Sequence, residues 1–147
     1  MTIKMTETGC EGVIAMLRMA AQKVPDNARK VMHKEADKIV KLAKRMAPED
    51  DAELMDAIHK EISYEARGRL KIDIVVGGVV RGVDVDKYAA EIHENYANMK
   101  PGPVTIIKRQ IEADVYVGEK FLERAVRESA PKLRKALIDG IMDGVNE

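Results

Sequence analysis

Apolar residues recur at the helical period over residues 27–47, and this is the clearest pattern in the chain. On a helical projection they fall within an arc of about 120°. These apolar residues are Ala28, Met32, Ala36, Ile39, Val40, Ala43, Met46 and Ala47. The opposite side carries five basic residues, Lys30, Lys34, Lys38, Lys41 and Arg45. The pattern predicts an amphipathic helix with a basic outer face, and Pro48 ends it.

Residues 62–66 and 70–76 alternate between apolar and polar side chains, which is the period of a strand with one buried face. Gly68 between them indicates a turn, so we expect two antiparallel strands, the second of which ends at Gly77. A shorter alternation over residues 3–5 predicts a strand at the edge of the sheet.

Three shorter helices are predicted from the same kind of spacing. The first covers residues 13–24 and stops before Pro25, because the residue preceding a proline disfavours the helical conformation. The others cover residues 52–60 and 87–96, and Asp86 is placed to cap the second of these.

The helical period returns at the end of the chain, over residues 119–143. Pro131 lies inside this run and should kink or split the helix, with Ser129 capping the second half. No linker divides the chain, so residues 1–147 are expected to form a single α+β domain. We expect a small, mainly antiparallel sheet packed against helix 27–47 and against the C-terminal helix.

The segment over residues 97–118 is harder to interpret. Its Pro-Gly-Pro sequence at 101–103 predicts a turn. A short helix can follow this turn, and the pattern of residues 114–117 predicts an extended backbone. Two placements stay open for its apolar side chains: an interface with a partner, or packing against the C-terminal helix of the same subunit. The four side chains concerned are Val104, Ile106, Ile107 and Ile111.

Composition narrows the class of protein. The 147 residues carry 25 basic and 25 acidic side chains, with 3 % aromatics and one cysteine, Cys10. A balanced charge and few aromatics argue against a dedicated nucleic-acid binder, and a single cysteine fits a reducing compartment. No apolar run is long enough for a membrane span, so no membrane association is expected.

The charges are unevenly distributed along the chain. Residues 1–48 carry ten Lys and Arg against five Asp and Glu, whereas residues 49–100 carry seven against twelve. Such complementary regions can orient the association of copies of one chain. The basic face of helix 27–47 therefore has three interpretations: contact with a neighbouring copy, contact with nucleic-acid phosphates, or a solvated helix surface.

No catalytic, cofactor-binding or metal-binding set emerges from the sequence. His33, His59 and His93 lie in separate elements, and His93-Glu94 lacks the second histidine of a zinc HExxH motif because Ala97 stands there. Cys10 has no partner signature for a nucleophile. We therefore expect that the protein is not an enzyme and needs no cofactor.

The order of several short motifs resembles a known family. The motifs are Ala43-Lys44-Arg45-Met46-Ala47-Pro48, Leu54 with Ile58, Val76-Gly77, Tyr88-Ala89, Ile92-His93-Glu94 and Lys120-Phe121-Leu122-Glu123-Arg124-Ala125. In order and spacing they resemble the tail-component proteins of long-tailed bacteriophages, also called tail-completion, neck or head–tail joining proteins. The resemblance covers roughly residues 10–145. It departs from the family pattern at Glu53 and at Asn95-Tyr96, where glycine and Gly-Thr are common.

This resemblance implies an α+β fold and a structural virion protein, assembled in the host cytoplasm. It also implies a homo-oligomeric ring, a hexamer, that joins the head connector or adaptor to the tail-tube or tail-terminator proteins, with DNA passing through the ring. A small nucleic-acid-binding protein that uses the basic helix face is the alternative, and a small hydrolase or toxin is the third hypothesis. The interface residues expected for the ring are Lys30, Lys34, Lys38, Lys41, Arg45, Val104, Ile106, Ile107 and Ile111.

Overall fold

The chain forms an α+β fold, in which an antiparallel sheet packs against two long helices. The computed structural model describes residues 2–7, 13–18, 26–50, 52–65 and 69–145. Its strands are β1 (Thr2–Glu7), β2 (Val13–Arg18), β3 (Ile58–Glu65), β4 (Arg69–Val76), β5 (Val79–Val80) and β6 (Val83–Asp84). Its helices are α1 (Asp26–Met46), α2 (Ala52–Asp56), α3 (Ala89–Asn95), α4 (Pro103–Ile111) and α5 (Phe121–Val145), with turns of 3-10 helix at Val85–Lys87 and Tyr96–Asn98.

The main sheet has four strands in the order β1-β2-β4-β3, and each neighbouring pair is antiparallel. The predicted pair β3 and β4 is confirmed, with Ile58 opposite Val76 and Ile62 opposite Ile72. Strand β1 confirms the predicted N-terminal edge strand, and β3 forms the other edge. Strands β5 and β6 form a separate short hairpin.

The core lies between one face of the sheet and the two long helices. Every second residue of β4 is buried, from Leu70 to Val76, as the alternating pattern predicts. The predicted apolar side of α1 is also buried: Met32 and Ile39 are each 1 % exposed. Because α5 adds Phe121 and further apolar residues to the same cluster, sheet and helices share one core.

Helices α1 and α5 pack along one another. The backbone N–H of Gly118, just before α5, donates to the Met46 carbonyl at the end of α1 over 2.9 Å. Helix α5 thus begins beside the end of α1 and runs back along it in the opposite direction. The start of α5 and the end of α1 therefore lie at the same end of the helix pair.

The prediction of a helix over residues 13–24 is wrong where the structure describes that segment. Residues Val13–Arg18 form β2, which pairs with β1 on one side and with β4 on the other. Valine, isoleucine and leucine at these spacings fit a helix face and also a strand, so the local pattern did not decide between them. Pairing with two neighbouring strands favours the extended conformation.

Three further predictions need correction. Helix α2 ends at Asp56, because residues from Ile58 onward already pair with β4. Residues 114–117 form no strand and belong to the turn between α4 and α5. Helix α5 continues without a break through Pro131, so the expected split and the cap at Ser129 do not occur.

The predicted helix over residues 87–96 is confirmed as α3, although its cap differs from the prediction. Asp84 caps the preceding 3-10 turn by accepting the N–H of Asp86 over 3.2 Å. The Asp86 carboxylate instead accepts the N–H of Gly78 over 3.1 Å, which ties the short hairpin to this turn.

Replacing Pro131 by alanine should stabilise the protein. Pro131 is exposed and lies inside α5, where its ring removes one backbone hydrogen bond of the helix. We expect Pro131→Ala to raise the free energy of unfolding by about 1–3 kcal/mol in urea titrations. Lys132→Ala, at an exposed neighbouring position, is the control and should change it by less than about 0.5 kcal/mol. A lower stability of Pro131→Ala would contradict a continuous helix.

Candidate functional site

The predicted basic face of α1 lies on the protein surface. Lys30, Lys34, Lys38 and Lys41 are all exposed. The Lys38 Nζ contacts the Glu35 carboxylate at 3.1 Å, one turn away on the same helix. The lysine of this pair is exposed to solvent, so the pair contributes little to stability. One carboxylate beside four lysines leaves the face predominantly positive.

Arg45 differs from the other members of the predicted basic face because it is bound within the subunit. Its Nη2 donates to the two carboxylate oxygens of Asp114 over 2.6 and 2.7 Å, and its Nε donates to Glu112 over 2.7 Å. The hydrogen bonds to Asp114 and Glu112 raise the pKa of Arg45, and the same contact lowers the pKa of Asp114. Arg45 therefore holds the turn after α4 against the end of α1.

Helix α4 is attached to the end of α1 through a buried lysine. Lys108 Nζ donates to the carbonyl oxygens of Lys44 and Ala47 over 2.6 and 2.7 Å, and it lies 3.6 Å from Met55 Sδ. Carbonyls at a helix C-terminus lack partners within the helix and carry partial negative charge. Burial lowers the pKa of Lys108. The ammonium group satisfies these carbonyls and fixes the side of α4 that faces α1.

The other end of α4 is held by Asp50. Its carboxylate accepts hydrogen bonds from the Tyr96 hydroxyl, from the Thr105 hydroxyl over 2.6 Å, and from the backbone N–H groups of Gly102 and Thr105. Burial alone would raise the pKa of Asp50, but these hydrogen bonds lower it. A side chain at Gly102 would collide with this carboxylate, so glycine permits the close approach.

The polarity of α4 is inverted compared with an ordinary surface helix. Its buried side chains are Thr105 and Lys108, whereas its large apolar side chains face outward. These side chains are Val104, Ile106, Ile107 and Ile111, which are 48 %, 46 %, 55 % and 75 % exposed. A cluster of exposed aliphatic residues on one short helix is typical of an interaction surface.

A groove of about 380 Å³ separates α4 from the second half of α1. We call it the α1–α4 groove, and its walls include Lys41, Lys44, Met55, Val104, Ile107 and Ile111. A second depression of about 520 Å³ shares Lys41 and Lys44 with the groove and extends along α1 to Lys34 and Lys38. The lining of the α1–α4 groove is thus largely apolar, with lysines on its α1 side. It also includes two carboxylates, Glu49 and Glu112, and Glu112 is bound to Arg45.

The groove brings together residues from both predicted interface sets, the basic face of α1 and the apolar side chains of α4. Lys41, Arg45, Val104, Ile107 and Ile111 line it together, although they are distant in sequence. The neighbouring depression accommodates Lys34 and Lys38, and neither depression is lined by Lys30 or Ile106.

Two of the lysines that line the groove are available to a partner. Within the described ranges, no carboxylate forms an ion pair with Lys41 or Lys44, nor with Lys34 nearby. Bringing negative charge to this side of the groove is therefore favourable by ordinary Coulomb attraction.

Sequence reasoning missed Lys44, Met55 and Lys108 as parts of this site. Lys108 did carry a signal, because it stands four residues after Val104 and three before Ile111, on their side of a helical projection. A lysine within an apolar stripe needs a polar partner. Its partners are backbone carbonyls of α1, which no side-chain pattern reveals.

His93 lies at a second buried polar site, where it caps the start of α5. The side chain is fully buried, and its Nε2 accepts the backbone N–H of Glu123 over 3.4 Å. Its Nδ1 faces the Glu94 carboxylate at 3.0 Å, and Phe121 contacts the ring edge-on with centroids 5.0 Å apart. Burial lowers the pKa of His93 although Glu94 opposes this. Through these contacts the neutral His93 ring holds the start of α5 against α3.

The remaining candidate residues form no common centre. His59 contacts the Ala57 carbonyl and the Glu61 carboxylate on β3, and His33 lies on α1. Among the residues that the structure describes, no three His, Cys, Asp or Glu side chains are grouped to hold a metal ion. Cys10 lies outside the described residues.

Comparison with known proteins adds no relative. No family model, curated protein or solved structure matches this chain. Of the helices in the described part of the chain, none has the length and apolar character required to cross a membrane.

Replacing Lys108 by methionine should destabilise the fold. The apolar side chain fills similar space, but the carbonyls of Lys44 and Ala47 lose their donor. We expect the free energy of unfolding to fall by about 1–3 kcal/mol, measured by urea titration. Gln110→Met, at an exposed position on α4, is the matched control and should change stability by less than about 0.5 kcal/mol. Equal stability of the two variants would show that the buried contacts of Lys108 are dispensable.

Stability should decrease as the pH falls below about 6.5, through His93. The folded state lowers the pKa of His93, so the unfolded state binds the proton more readily. The contribution of the neutral ring is complete above the unfolded pKa and is lost as the pH falls towards the folded pKa. Urea titrations between pH 5 and 7.5 measure this slope. His93→Gln should flatten it, and an unchanged slope in that variant would assign the pH dependence to another group.

Proposed function

We propose that this protein is a structural subunit of a tailed-bacteriophage neck or tail-completion ring and that it acts through protein–protein contacts. The motif resemblance suggests the family, and the inverted polarity of α4 is the physical support for a role in protein–protein contacts. In this proposal the subunit performs no catalysis and uses no cofactor.

The outward apolar face of α4 is the observation that carries the proposal. Isolated apolar residues are common on protein surfaces, but Val104, Ile107 and Ile111 form one continuous wall of a groove. Burying them against a partner gains free energy at about 25 cal/mol per Å² of apolar surface. Because Asp50 and Lys108 hold α4 at both ends, this wall is formed before binding.

The charge of the groove supports contact between copies. Lys41 and Lys44 favour an acidic partner, and the same chain carries an acidic excess elsewhere in its sequence. A contact between two different surfaces of identical subunits is heterologous, and a heterologous contact closes into a ring when its rotation permits. We propose a hexamer in the virion, assembled in the host cytoplasm, between the head connector or adaptor and the tail-tube or tail-terminator proteins.

Nucleic-acid binding is the alternative, and the exposed row of lysines on α1 favours it. Lys30, Lys34, Lys38 and Lys41 follow one another at nearly one helical turn, about 5.4 Å, which suits a row of phosphates. The apolar wall beside them is the argument against it, because phosphate contact leaves aliphatic side chains without burial.

Replacing Ile107 and Ile111 by serine should weaken assembly without harming the fold. Both side chains are more than half exposed, so the melting temperature should change by less than about 2 °C. Native mass spectrometry and sedimentation velocity should show a ring for the unmodified protein. The double variant should require on the order of tenfold more protein to assemble. Val79→Ser, at an exposed position on the β5–β6 hairpin that does not line the groove, is the control.

A monomer that binds DNA tightly would support the alternative function. In that case affinity should fall steeply with added salt, since each phosphate contact releases counterions. Charge reversal at Lys34 and Lys38 should then abolish DNA binding, while Ile107→Ser should leave it unchanged.

A further inference from the structure

We infer that strand β3 pairs with β3 of a second copy of this chain, antiparallel and across a two-fold axis at Ile62. The pairing joins two four-stranded sheets into one continuous sheet. The contact is isologous, because both copies contribute the same surface. It uses no residue that lines the α1–α4 groove, so it goes beyond the proposed ring and does not depend on it.

The outer edge of β3 is open in the described part of the chain. Strand β3 ends the order β1-β2-β4-β3, and β4 is the one described strand that pairs with it. An eight-residue strand at an edge leaves alternate backbone N–H and C=O groups free to pair with another strand. The four consecutive residues 61–64 are all exposed, so neither face of this part of the strand is covered. Such an edge accepts a further strand by β-augmentation.

Helix α1 runs beside this edge. The Lys60 Nζ contacts the Asp37 carboxylate at 2.8 Å, and the Arg29 guanidinium lies 5.4 Å from the centre of the Tyr64 ring. Residues 29 and 37 are about 12 Å apart along a helix, and residues 60 and 64 are about 13 Å apart along a strand. Helix α1 is therefore aligned with β3 in the opposite direction, with Arg29 and Asp37 at the two ends of the exposed part.

The charges at these two ends are complementary. The Arg29 Nε is buried without a hydrogen-bond partner, and no carboxylate of the described residues forms an ion pair with this guanidinium. Asp37 uses one carboxylate oxygen for Lys60, and its side chain is exposed. The edge therefore has an unpaired cation at one end and an available carboxylate at the other. A two-fold axis between them brings each group to its complement.

The two-fold axis at Ile62 places Lys60 opposite Tyr64 of the second copy, with Cβ atoms about 5 Å apart. The Asp37–Lys60 pair of one copy then faces the Arg29–Tyr64 pair of the other, at both ends of the contact. Ile62 packs against its counterpart on the axis. Arg29 gains the carboxylate that it lacks within its own subunit, and Lys60 gains the face of an aromatic ring.

Other registers are less favourable. Opposite residues must point to the same face of the joined sheet, so the axis passes through a residue of β3. An axis at Glu61 puts two carboxylates directly opposite each other, and an axis at Lys60 does the same with two ammonium groups. An axis at Ser63 pairs only residues 61–65 of each strand, whereas an axis at Ile62 pairs residues 59–65. The register at Ile62 combines the longer pairing with opposite charges.

The same contact covers the exposed apolar side chains of β3. Ile62 and Tyr64 lie on the helix-facing side of the sheet, opposite the buried Ile72 and Leu70 of β4. Helix α1 packs over β3 and β4, whereas α5 packs over β1 and β2. In the joined sheet the two α1 helices therefore flank the β3–β3 pair, and these side chains lie between them.

A cysteine on the two-fold axis tests this register directly. Ile62→Cys in a Cys10→Ser background should form a disulfide-linked dimer on mild oxidation, because directly opposite residues of paired strands are within disulfide reach. His59→Cys in the same background is the matched control. It is exposed on the same strand, but the two copies of position 59 lie about 20 Å apart in this register. Equal amounts of dimer from both variants on a non-reducing gel overturn the inference.

Charge exchange between copies provides the second arm of the test. Arg29→Glu, and separately Asp37→Lys, each put like charges opposite each other and should raise the dimer Kd on the order of tenfold in sedimentation equilibrium. Mixing the two variants should restore association, because both ends of the mixed dimer then carry opposite charges. Lys132→Glu, with the same change in charge as Asp37→Lys but of opposite sign, is exposed on α5 and should have little effect. If both variants keep their thermal melts and the mixture does not associate, the inference is wrong.

The outcomes separate this contact from the ring. A ring that is sensitive to Ile107 and Ile111, without a cross-link in Ile62→Cys, overturns the inference and leaves the proposed ring intact. A cross-linked dimer without a ring supports the contact and counts against the ring. Rings associated in pairs support both, and a monomer without a cross-link overturns both.

Discussion

The placement of α4 beside α1 depends on the carbonyl groups at the end of α1. A helix leaves its last four carbonyls without internal partners, and burying them unsatisfied is costly. Here Lys108 binds two carbonyls near this end, and the Gly118 N–H binds a third, that of Met46. Arg45 adds ion pairs to the turn between α4 and α5. The same bonds that complete α1 therefore place α4 and set the starting point of α5.

This attachment explains why α4 presents its apolar side to solvent. A free amphipathic helix would turn its isoleucines inward, since burial of aliphatic surface is favourable. In this chain an inward rotation would withdraw Lys108 from the carbonyls of Lys44 and Ala47. The two hydrogen bonds of the charged Lys108 to backbone carbonyls, at roughly 1.5–3 kcal/mol each, oppose that rotation. The exposed apolar wall is thus a consequence of polar contacts made elsewhere on the same helix.

Local periodicity was sufficient for part of the fold. Helix α1 and strand β4 each carry a full repeating pattern, and their buried faces were predicted correctly. The pairing of β3 with β4 was also predicted, but Ile62 and Tyr64 on the apolar side of this edge strand are 45 % and 54 % exposed. Strand β2 was not predicted, because its short apolar run fits two conformations and only the neighbouring strands decide between them. The spacing of Val104, Ile107 and Ile111 predicted a helix and left open which way they face. That direction depends on Lys108 meeting a helix end that lies more than sixty residues earlier in the sequence.

A fixed apolar wall and a fixed row of lysines favour one kind of partner over others. Phosphates satisfy lysines and leave aliphatic groups exposed, whereas a purely apolar surface leaves the lysines desolvated without compensation. A partner surface that presents both aliphatic and acidic groups satisfies the apolar wall and the lysines together. In the proposed ring a neighbouring subunit supplies that surface from a different part of its own chain, and such a heterologous contact closes into a ring only when its rotation permits.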